Sequence, residues 1–339
     1  MRNPPAPPQC RCRPGRIVIA ATALLIAVAG SPTVTRAAET MIDPHATDPA
    51  IAHAYGQARH YVWTASGTPT GRLVLFLGGS KSRPGFYERF SDLASTLGNN
   101  VVDLRYPNRF VASSCPAPQP ATAAALGAQD RCFAAVRGGT LFGTGSRYGD
   151  PPKPDVGWPK TADVGIPDSV IGRLVSLLQY QGWTRYLTPG DGHSPYGLGP
   201  HAYPDWSKII VAGHSQGAGH ALFIAKRFKV PRAVLLSGPD DSPGGRPATW
   251  AAAVGRTPND RIYALRSQQE GIFCAGCDID WQAAGIHHRA VTTFTPHSCL
   301  GAICGDVNRH DSTAVDSAVA LDSDRTPLLT PTWTSMLAP

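Results

Sequence analysis

Acidic residues are absent from the first 37 positions of this 339-residue chain, which hold five of its 31 lysine and arginine residues. Arg2, Arg11, Arg13 and Arg16 precede an apolar run over 17–29. This pattern is typical of a secretory signal, and the small residues around Ala37 predict its cleavage site. The run is short for a bilayer span, so a retained membrane anchor is the competing interpretation. No cysteine follows the run at a lipoprotein position.

Excess positive charge is also lacking once the signal is set aside. Residues 38–339 contain 26 basic and 24 acidic side chains. A nucleic-acid partner therefore loses its electrostatic basis. There is no internal repeat, and the length suffices for one large domain with a substantial core. We expect an exported protein, secreted or periplasmic, without a membrane span after signal cleavage.

Cysteine is sparse, yet six of the eight cysteines lie beyond the signal. They are Cys115, Cys132, Cys274, Cys277, Cys299 and Cys304. An even number in an exported chain predicts three disulfides, although the sequence leaves fifteen pairings open. The alternative is a zinc site, because the last four of these cysteines form two closely spaced pairs.

Apolar runs alternate with helical patterns, which predicts an α/β fold with a mostly parallel sheet of eight strands. The runs lie around 60–64 and at 73–77, 101–104, 209–212, 233–236, 262–265 and 290–294. The helical patterns lie at 84–97, with Phe86 on the apolar face and Gly98 as the stop, at 167–178, at 216–228 and at 312–321.

Two long segments, 107–165 and 183–206, are rich in proline and glycine and show no periodicity. Long irregular stretches in compact domains are usually functional, so we predict insertions that cover the active site as a lid or pocket wall. A disordered surface insertion is the alternative for 107–165.

The most informative motif is Gly213-His214-Ser215-Gln216-Gly217, which follows an apolar run and precedes a small-residue helix. This is the context of a nucleophile elbow, in which a serine occupies a strained turn between strand and helix. Glycines two residues before and after remove the collisions that side chains would cause there. Ser215 is therefore the predicted nucleophile.

A serine hydroxyl needs a base that is oriented by a carboxylate. Beyond the last strand the candidate bases are His310, which we favour, and His297, whereas His287 and His288 precede that strand. For the acid we favour Glu270, in the loop after 262–265. Asp241, Asp278 and Asp280 remain open as alternatives.

A tetrahedral intermediate also needs two preorganised hydrogen-bond donors. By position these are the main-chain N–H groups of Ser80, after the Gly78-Gly79 turn, and of Gln216.

The segment 206–221 together with Ser237-Gly238-Pro239 resembles exported bacterial serine hydrolases of the α/β-hydrolase superfamily. The resemblance covers roughly 73–321 apart from the loops. It implies a Ser-His-acid triad without a metal or organic cofactor, although that superfamily more often uses Asp than Glu as the acid. A small-molecule or polymeric ester is the implied substrate.

The sequence is also compatible with two other functions. A peptidase or another acyl-transfer enzyme would use the same triad. A non-catalytic binding protein on the same scaffold could hold a ligand or a cell-wall component with aromatic residues such as Trp158, Tyr196 and Tyr203. The sequence does not determine the oligomeric state.

Overall fold

The computed structural model describes residues 39–52, 58–109, 115, 119–144, 164–189, 203–296 and 305–338. The signal predicted at 1–37 lies outside these residues. So do parts of both predicted lid segments, including Trp158 and Tyr196, and the segment that contains His297, Cys299 and Cys304.

An eight-stranded sheet organises the domain. Its strands are β1 (Glu39–Ile42), β2 (His60–Trp63), β3 (Leu73–Leu77), β4 (Asn100–Leu104), β5 (Ile209–His214), β6 (Ala233–Leu236), β7 (Ile262–Ser267) and β8 (His288–Thr292). The spatial order is β1-β2-β4-β3-β5-β6-β7-β8. Strand β2 is antiparallel to β1 and β4, and all other neighbours are parallel. The predicted α/β class with a mostly parallel eight-stranded sheet is confirmed.

Nine α-helices lie among the described residues. They are α1 (Pro44–Thr47), α2 (Glu88–Thr96), α3 (Ala123–Phe142), α4 (Val170–Tyr180), α5 (Gln216–Arg227), α6 (Thr249–Ala252), α7 (Cys277–Ala283), α8 (Asp306–Asp311) and α9 (Thr330–Leu337). No helix in the described ranges is long and apolar enough to cross a membrane.

Apolar side chains cover both faces of the sheet, as a parallel sheet between two helical layers requires. Along β3, Leu73, Leu75 and Leu77 belong to one buried cluster, which includes residues of α3, α4 and α5. Val74 and Phe76 belong to a second cluster, which includes residues of α2 and α9. All five side chains of β3 are fully buried, so this strand reads in the sequence as a continuous apolar run.

The prediction that 107–165 is one irregular stretch was wrong. Helix α3 occupies twenty residues of it, begins after the N-cap Thr122 and has a buried face that includes Phe133 and Val136. Its three glycines mask the helical pattern in the sequence, because glycine disfavours helices in isolation. Packing of the buried face supplies the stability that propensity does not.

The prediction of a helix at 312–321 was also wrong. Helix α8 lies immediately before this segment, and most of 312–319 forms turns.

The predicted strand 290–294 is shifted by two residues and begins at His288. Phe86 is exposed in a 3₁₀ turn before α2 rather than on its buried face. Strand β1, which the sequence did not suggest, pairs at the sheet edge.

Two disulfides are present among the described residues, Cys115–Cys132 and Cys274–Cys277. The first joins the segment before α3 to the middle of that helix, and the second spans the start of α7. Because Cys274 and Cys277 are joined to each other, the zinc alternative loses one of its two ligand pairs.

Asp316 ties the turns after α8 to α2, because its carboxylate accepts the main-chain N–H of Arg89 at 3.2 Å. Burial raises the pKa of this carboxyl to about 7. The unfolded chain releases the proton near pH ~4, so the folded state binds more protons between these values and loses stability as pH rises through them. Relative to Asp316→Asn, the wild type should lose about 1–2 kcal/mol of unfolding free energy between about pH 4.5 and 7.5, after allowance for solvent screening.

Urea unfolding of both proteins at the two pH values measures this difference. Asp324→Asn, at an exposed position, serves as the control and should follow the wild type. Parallel curves for wild type and Asp316→Asn would contradict the assignment.

Candidate active site

Ser215 occupies the sharp turn between β5 and α5, with φ 56° and ψ −120°. This left-handed conformation is unfavourable for a residue with a side chain, and its presence at the end of a buried strand matches the backbone geometry expected of a nucleophile elbow. A hydrogen bond of 2.8 Å from the Ser215 N–H to the carbonyl of Leu236 anchors the turn to β6. The fold is that of an α/β-hydrolase.

The glycines of the motif are required by close backbone contacts. A Cβ at Gly213 would lie 2.4 Å from the main chain of Gly217. A Cβ at Gly217 would overlap the carbonyl of Leu77 at the end of β3. The close packing that the sequence predicted around the turn is therefore present.

His310 and Ser215 line one cavity of about 530 Å³ at the carboxyl ends of the strands. His310 belongs to the last turn of α8 rather than to a loop. Its ring packs against the rings of His214 and Phe273, at centroid distances of 4.9 and 5.3 Å. The predicted base and nucleophile therefore face the same space.

Glu270 follows β7 and lies beside His310. Its Oε1 is 3.7 Å from His310 Nδ1. Both atoms are buried, and neither has a hydrogen-bond partner among the described residues. The other oxygen, Oε2, accepts the Ser237 hydroxyl at 2.7 Å and the Ser267 N–H at 3.0 Å. The carboxylate is thus held so that its unpaired oxygen lies nearest to the imidazole.

The three alternative acids have other partners. Asp241 accepts two hydrogen bonds from the Arg137 guanidinium, at 2.8 and 3.0 Å. Asp278 forms an exposed ion pair with Arg266 at 2.8 Å. Asp280 accepts the N–H groups of Asp241 and Ala248, and burial raises its pKa to about 7.

The predicted oxyanion donors also line the cavity. Ser80 follows β3 after the Gly78-Gly79 turn, and Gln216 is the first residue of α5, where a main-chain N–H has no acceptor within its own helix. The Ser80 hydroxyl donates to Gln216 Oε1 at 3.0 Å and so links the two turns. The N–H of Gly79 is already bound to Tyr87 Oη at 2.8 Å.

His214, Tyr87, Arg137 and Ser237 were not singled out from the sequence, although all four line the cavity. Burial, followed by the nearby charge of His310, lowers the pKa of His214 to about 3, so its ring is neutral. Its Nε2–H donates to the carbonyl of His310 at 3.1 Å, while Nδ1 lies 3.3 Å from Tyr87 Oη. A buried chain of contacts thus joins the Gly79 turn to the backbone of His310.

The rest of the lining is mixed, with the charged residues Lys81, Asp240, Asp241 and Asp311 beside a group of apolar side chains. Phe86, Ile272, Phe273 and Val307 line the cavity while each remains substantially exposed. Exposed apolar groups clustered at a cavity mouth are typical of a ligand-binding surface. Arg137, which lies in α3, also lines this cavity.

No protein-family profile matches the sequence, and no curated protein does so. Among solved structures, dienelactone hydrolase from Anabaena variabilis is similar over 76% of this chain and 86% of its own, with 14% identity and a TM-score of 0.34. An S-formylglutathione hydrolase from Agrobacterium tumefaciens is similar over 69% and 79%, with 13% identity and a TM-score of 0.37. The esterase domain of a Rhodothermus marinus protein is similar over 76% and 87%, with 14% identity and a TM-score of 0.34.

Proposed function

We propose that this chain is an exported carboxylic-ester hydrolase in which Ser215, His310 and Glu270 act as a triad. The observation that carries the proposal is the position of His310. Its imidazole lines the cavity of a strained serine and lies beside a buried carboxylate oxygen that has no hydrogen-bond partner in the described part of the chain.

The residues would divide the reaction into two steps. The Ser215 oxygen forms a bond to the ester carbonyl carbon while its proton passes to the imidazole of His310. The N–H groups of Ser80 and Gln216 stabilise the oxyanion, the ester C–O bond then breaks, and the imidazolium returns the proton to the departing alcohol. Water, activated by the same imidazole, releases the acid and restores the serine.

Glu270 would orient the imidazole and stabilise its positive charge. The 3.7 Å separation is compatible with this role, because catalytic hydrogen bonds often reach their final length only in the complex with substrate. The predicted signal at 1–37 and the disulfides are consistent with action outside the cytoplasm.

Glu270→Gln should lower kcat by a factor on the order of 10²–10⁴, because the amide cannot hold the correct tautomer or stabilise an imidazolium. Hydrolysis of nitrophenyl butyrate by the pure variant measures the loss. Asp278→Asn is the control, since this carboxylate is exposed and paired with Arg266, and its turnover should match the wild type. Equal turnover of Glu270→Gln and wild type would remove Glu270 from the triad.

The same assay separates the alternatives. Serine-dependent turnover of the ester favours the hydrolase over a binding protein that has retained the scaffold. Turnover of peptide amides at rates that match the ester would favour a peptidase instead.

A further inference from the structure

A second cavity, of about 670 Å³, opens at the carboxyl ends of β3 and β4. Of the eleven described residues that line it, five are cationic and none is acidic. The cationic residues are Arg59, Lys81, Arg83, Arg105 and Arg109. The neighbouring sequence segments 53–57 and 110–114 also contain no aspartate or glutamate. We call this space the basic cavity.

The basic cavity adjoins the cavity that contains Ser215, because Lys81 lines both. It directly follows Ser80, and its φ of 61° turns the chain between the two spaces. Ligands of open parallel sheets bind at the carboxyl ends of the strands, and both cavities lie at this edge. A ligand with its reactive group at Ser215 can therefore extend past Lys81 into the basic cavity.

Buried hydrogen bonds fix the wall between the cavities. The Asn108 side-chain amide donates to the carbonyls of Gly79 and Ser82, at 2.7 and 2.9 Å. Arg105 Nη1 donates to Asn108 Oδ1 at 3.0 Å and to the Ser82 carbonyl at 3.1 Å. The Lys81 N–H donates to the Asn108 carbonyl at 3.0 Å. The loop that supplies the Ser80 N–H is thus held in place by residues of the basic cavity.

Positive charge is concentrated around Arg105. Burial, with the charges of Arg173, Arg109 and Arg83, lowers the pKa of Arg105 to about 10, so it remains charged at neutral pH. At Tyr61, burial together with the carboxylates of Glu39 and Glu88 raises the phenol pKa, so part of the charge is offset there. Arg83, Arg109 and Lys81 are exposed, and no acidic residue among the described lining residues offsets the repulsion between their positive charges.

We propose that the basic cavity binds an anionic group, a carboxylate or a phosphate, carried by the ester that Ser215 hydrolyses. The inference rests on the proposed function. Guanidinium groups bind such anions through two parallel hydrogen bonds, and a bound anion relieves the repulsion among the arginines. The apolar side chains in the lining of the Ser215 cavity, Phe86, Ile272, Phe273 and Val307, accommodate the uncharged part of the same substrate. The substrate class is therefore an ester with an apolar body and an anionic end.

The direct test compares two nitrophenyl esters of similar length, one neutral (valerate) and one anionic (hemiglutarate). The wild type should have a kcat/KM at least about tenfold higher for the hemiglutarate at low ionic strength. The preference should shrink in about 0.5 M NaCl, because salt screens the attraction. In Arg83→Gln/Arg109→Gln the ratio of the two kcat/KM values should fall at least about tenfold, mainly through KM for the anionic ester.

Arg256→Gln/Arg261→Gln is the matched control. Both arginines are exposed and line neither cavity. Their replacement changes the net charge by the same amount as the replacement of Arg83 and Arg109. Arg261 precedes the amino end of β7, at the opposite edge of the sheet. This variant should keep the wild-type ratio. An equal fall in both double variants would show a general charge effect and overturn the proposal.

A binding measurement separates this inference from the hydrolase proposal. Glutarate and inorganic phosphate are titrated into Ser215→Ala with and without the Arg83 and Arg109 substitutions, and binding should weaken at least about fivefold when both arginines are absent. Equal binding to both proteins overturns the anion site. Arginine-dependent binding without a preference for the hemiglutarate also overturns the proposal, because the anion would then be free rather than part of the substrate. Failure of the wild type to hydrolyse either ester contradicts the hydrolase function instead, and the titration still tests the site.

Discussion

Ser215→Ala should lower turnover of a nitrophenyl ester by a factor on the order of 10⁴ or more, because no other hydroxyl replaces the attacking oxygen. The substitution removes one atom and makes no new contact. The Ser215 side chain does not cap α5, so the fold should remain intact. A fluorophosphonate probe, which reacts with an activated serine, should label the wild type and leave the variant unlabelled.

Ser207→Ala is the matched control for this experiment. Ser207 is exposed, hydrogen-bonds to Asp205 and precedes the amino end of β5. Its variant should retain both turnover and labelling. Labelling of Ser215→Ala at the wild-type level would remove the nucleophile assignment.

Arg137→Met should destabilise the fold by about 3–5 kcal/mol, because it leaves a buried carboxylate without its counter-charge. Arg137 and Asp241 are each almost fully buried and form two hydrogen bonds. Arg137 Nη1 also donates to the Gln216 carbonyl at 2.6 Å, in the first turn of α5. The interaction therefore joins α3 both to the loop after β6 and to the nucleophile turn. Urea unfolding followed by tryptophan fluorescence measures the change.

A second variant, Arg137→Met/Asp241→Asn, distinguishes loss of charge balance from loss of packing. The amide carries no charge and can still accept the Trp250 N–H, which Asp241 accepts at 3.1 Å. Much of the stability should return in the double variant. Arg266→Met provides the surface comparison, because its pair with Asp278 is largely exposed and should contribute under about 1 kcal/mol. Equal instability of the single and double variants would show that the charge is not the cause.

The elements predicted correctly are those whose signal is local. Strands β3, β5, β6 and β7 are short apolar runs between turn residues, and α4 and α5 show an apolar periodicity. Helix α3 was missed because its glycines give the segment a low helix propensity. Its stability comes from packing against α4 and α5, which the local sequence does not indicate. The segment 312–319 was predicted as a helix because its small and apolar residues are spaced as on one face of a helix. In the structure most of these residues are buried, but the backbone forms several short turns.

The candidate site divides in the same way. Ser215, Gln216 and Ser80 follow from the turn that each strand end forms. Among the four candidate acids, proximity to His310 came only from the fold, because the local sequence around each acid does not indicate which one approaches the imidazole. Glu270 and Asp241 follow strands, whereas Asp278 and Asp280 lie in α7. Asp241 is held by Arg137, which is 104 residues away in the chain. Nothing in the local sequence around either residue indicates that pair.

The sequence by itself determined the class of sheet, the strained turn at Ser215 and the expectation of a histidine from the end of the chain. These features depend on hydrophobic periodicity and on backbone geometry within a few residues. Only the tertiary structure decided which carboxylate lies beside His310, and that Lys81 lines both the cavity of Ser215 and the basic cavity. Such features arise where distant segments meet at the carboxyl ends of the strands, and the electrostatic environment of each group depends on burial and on neighbours that the chain order does not reveal.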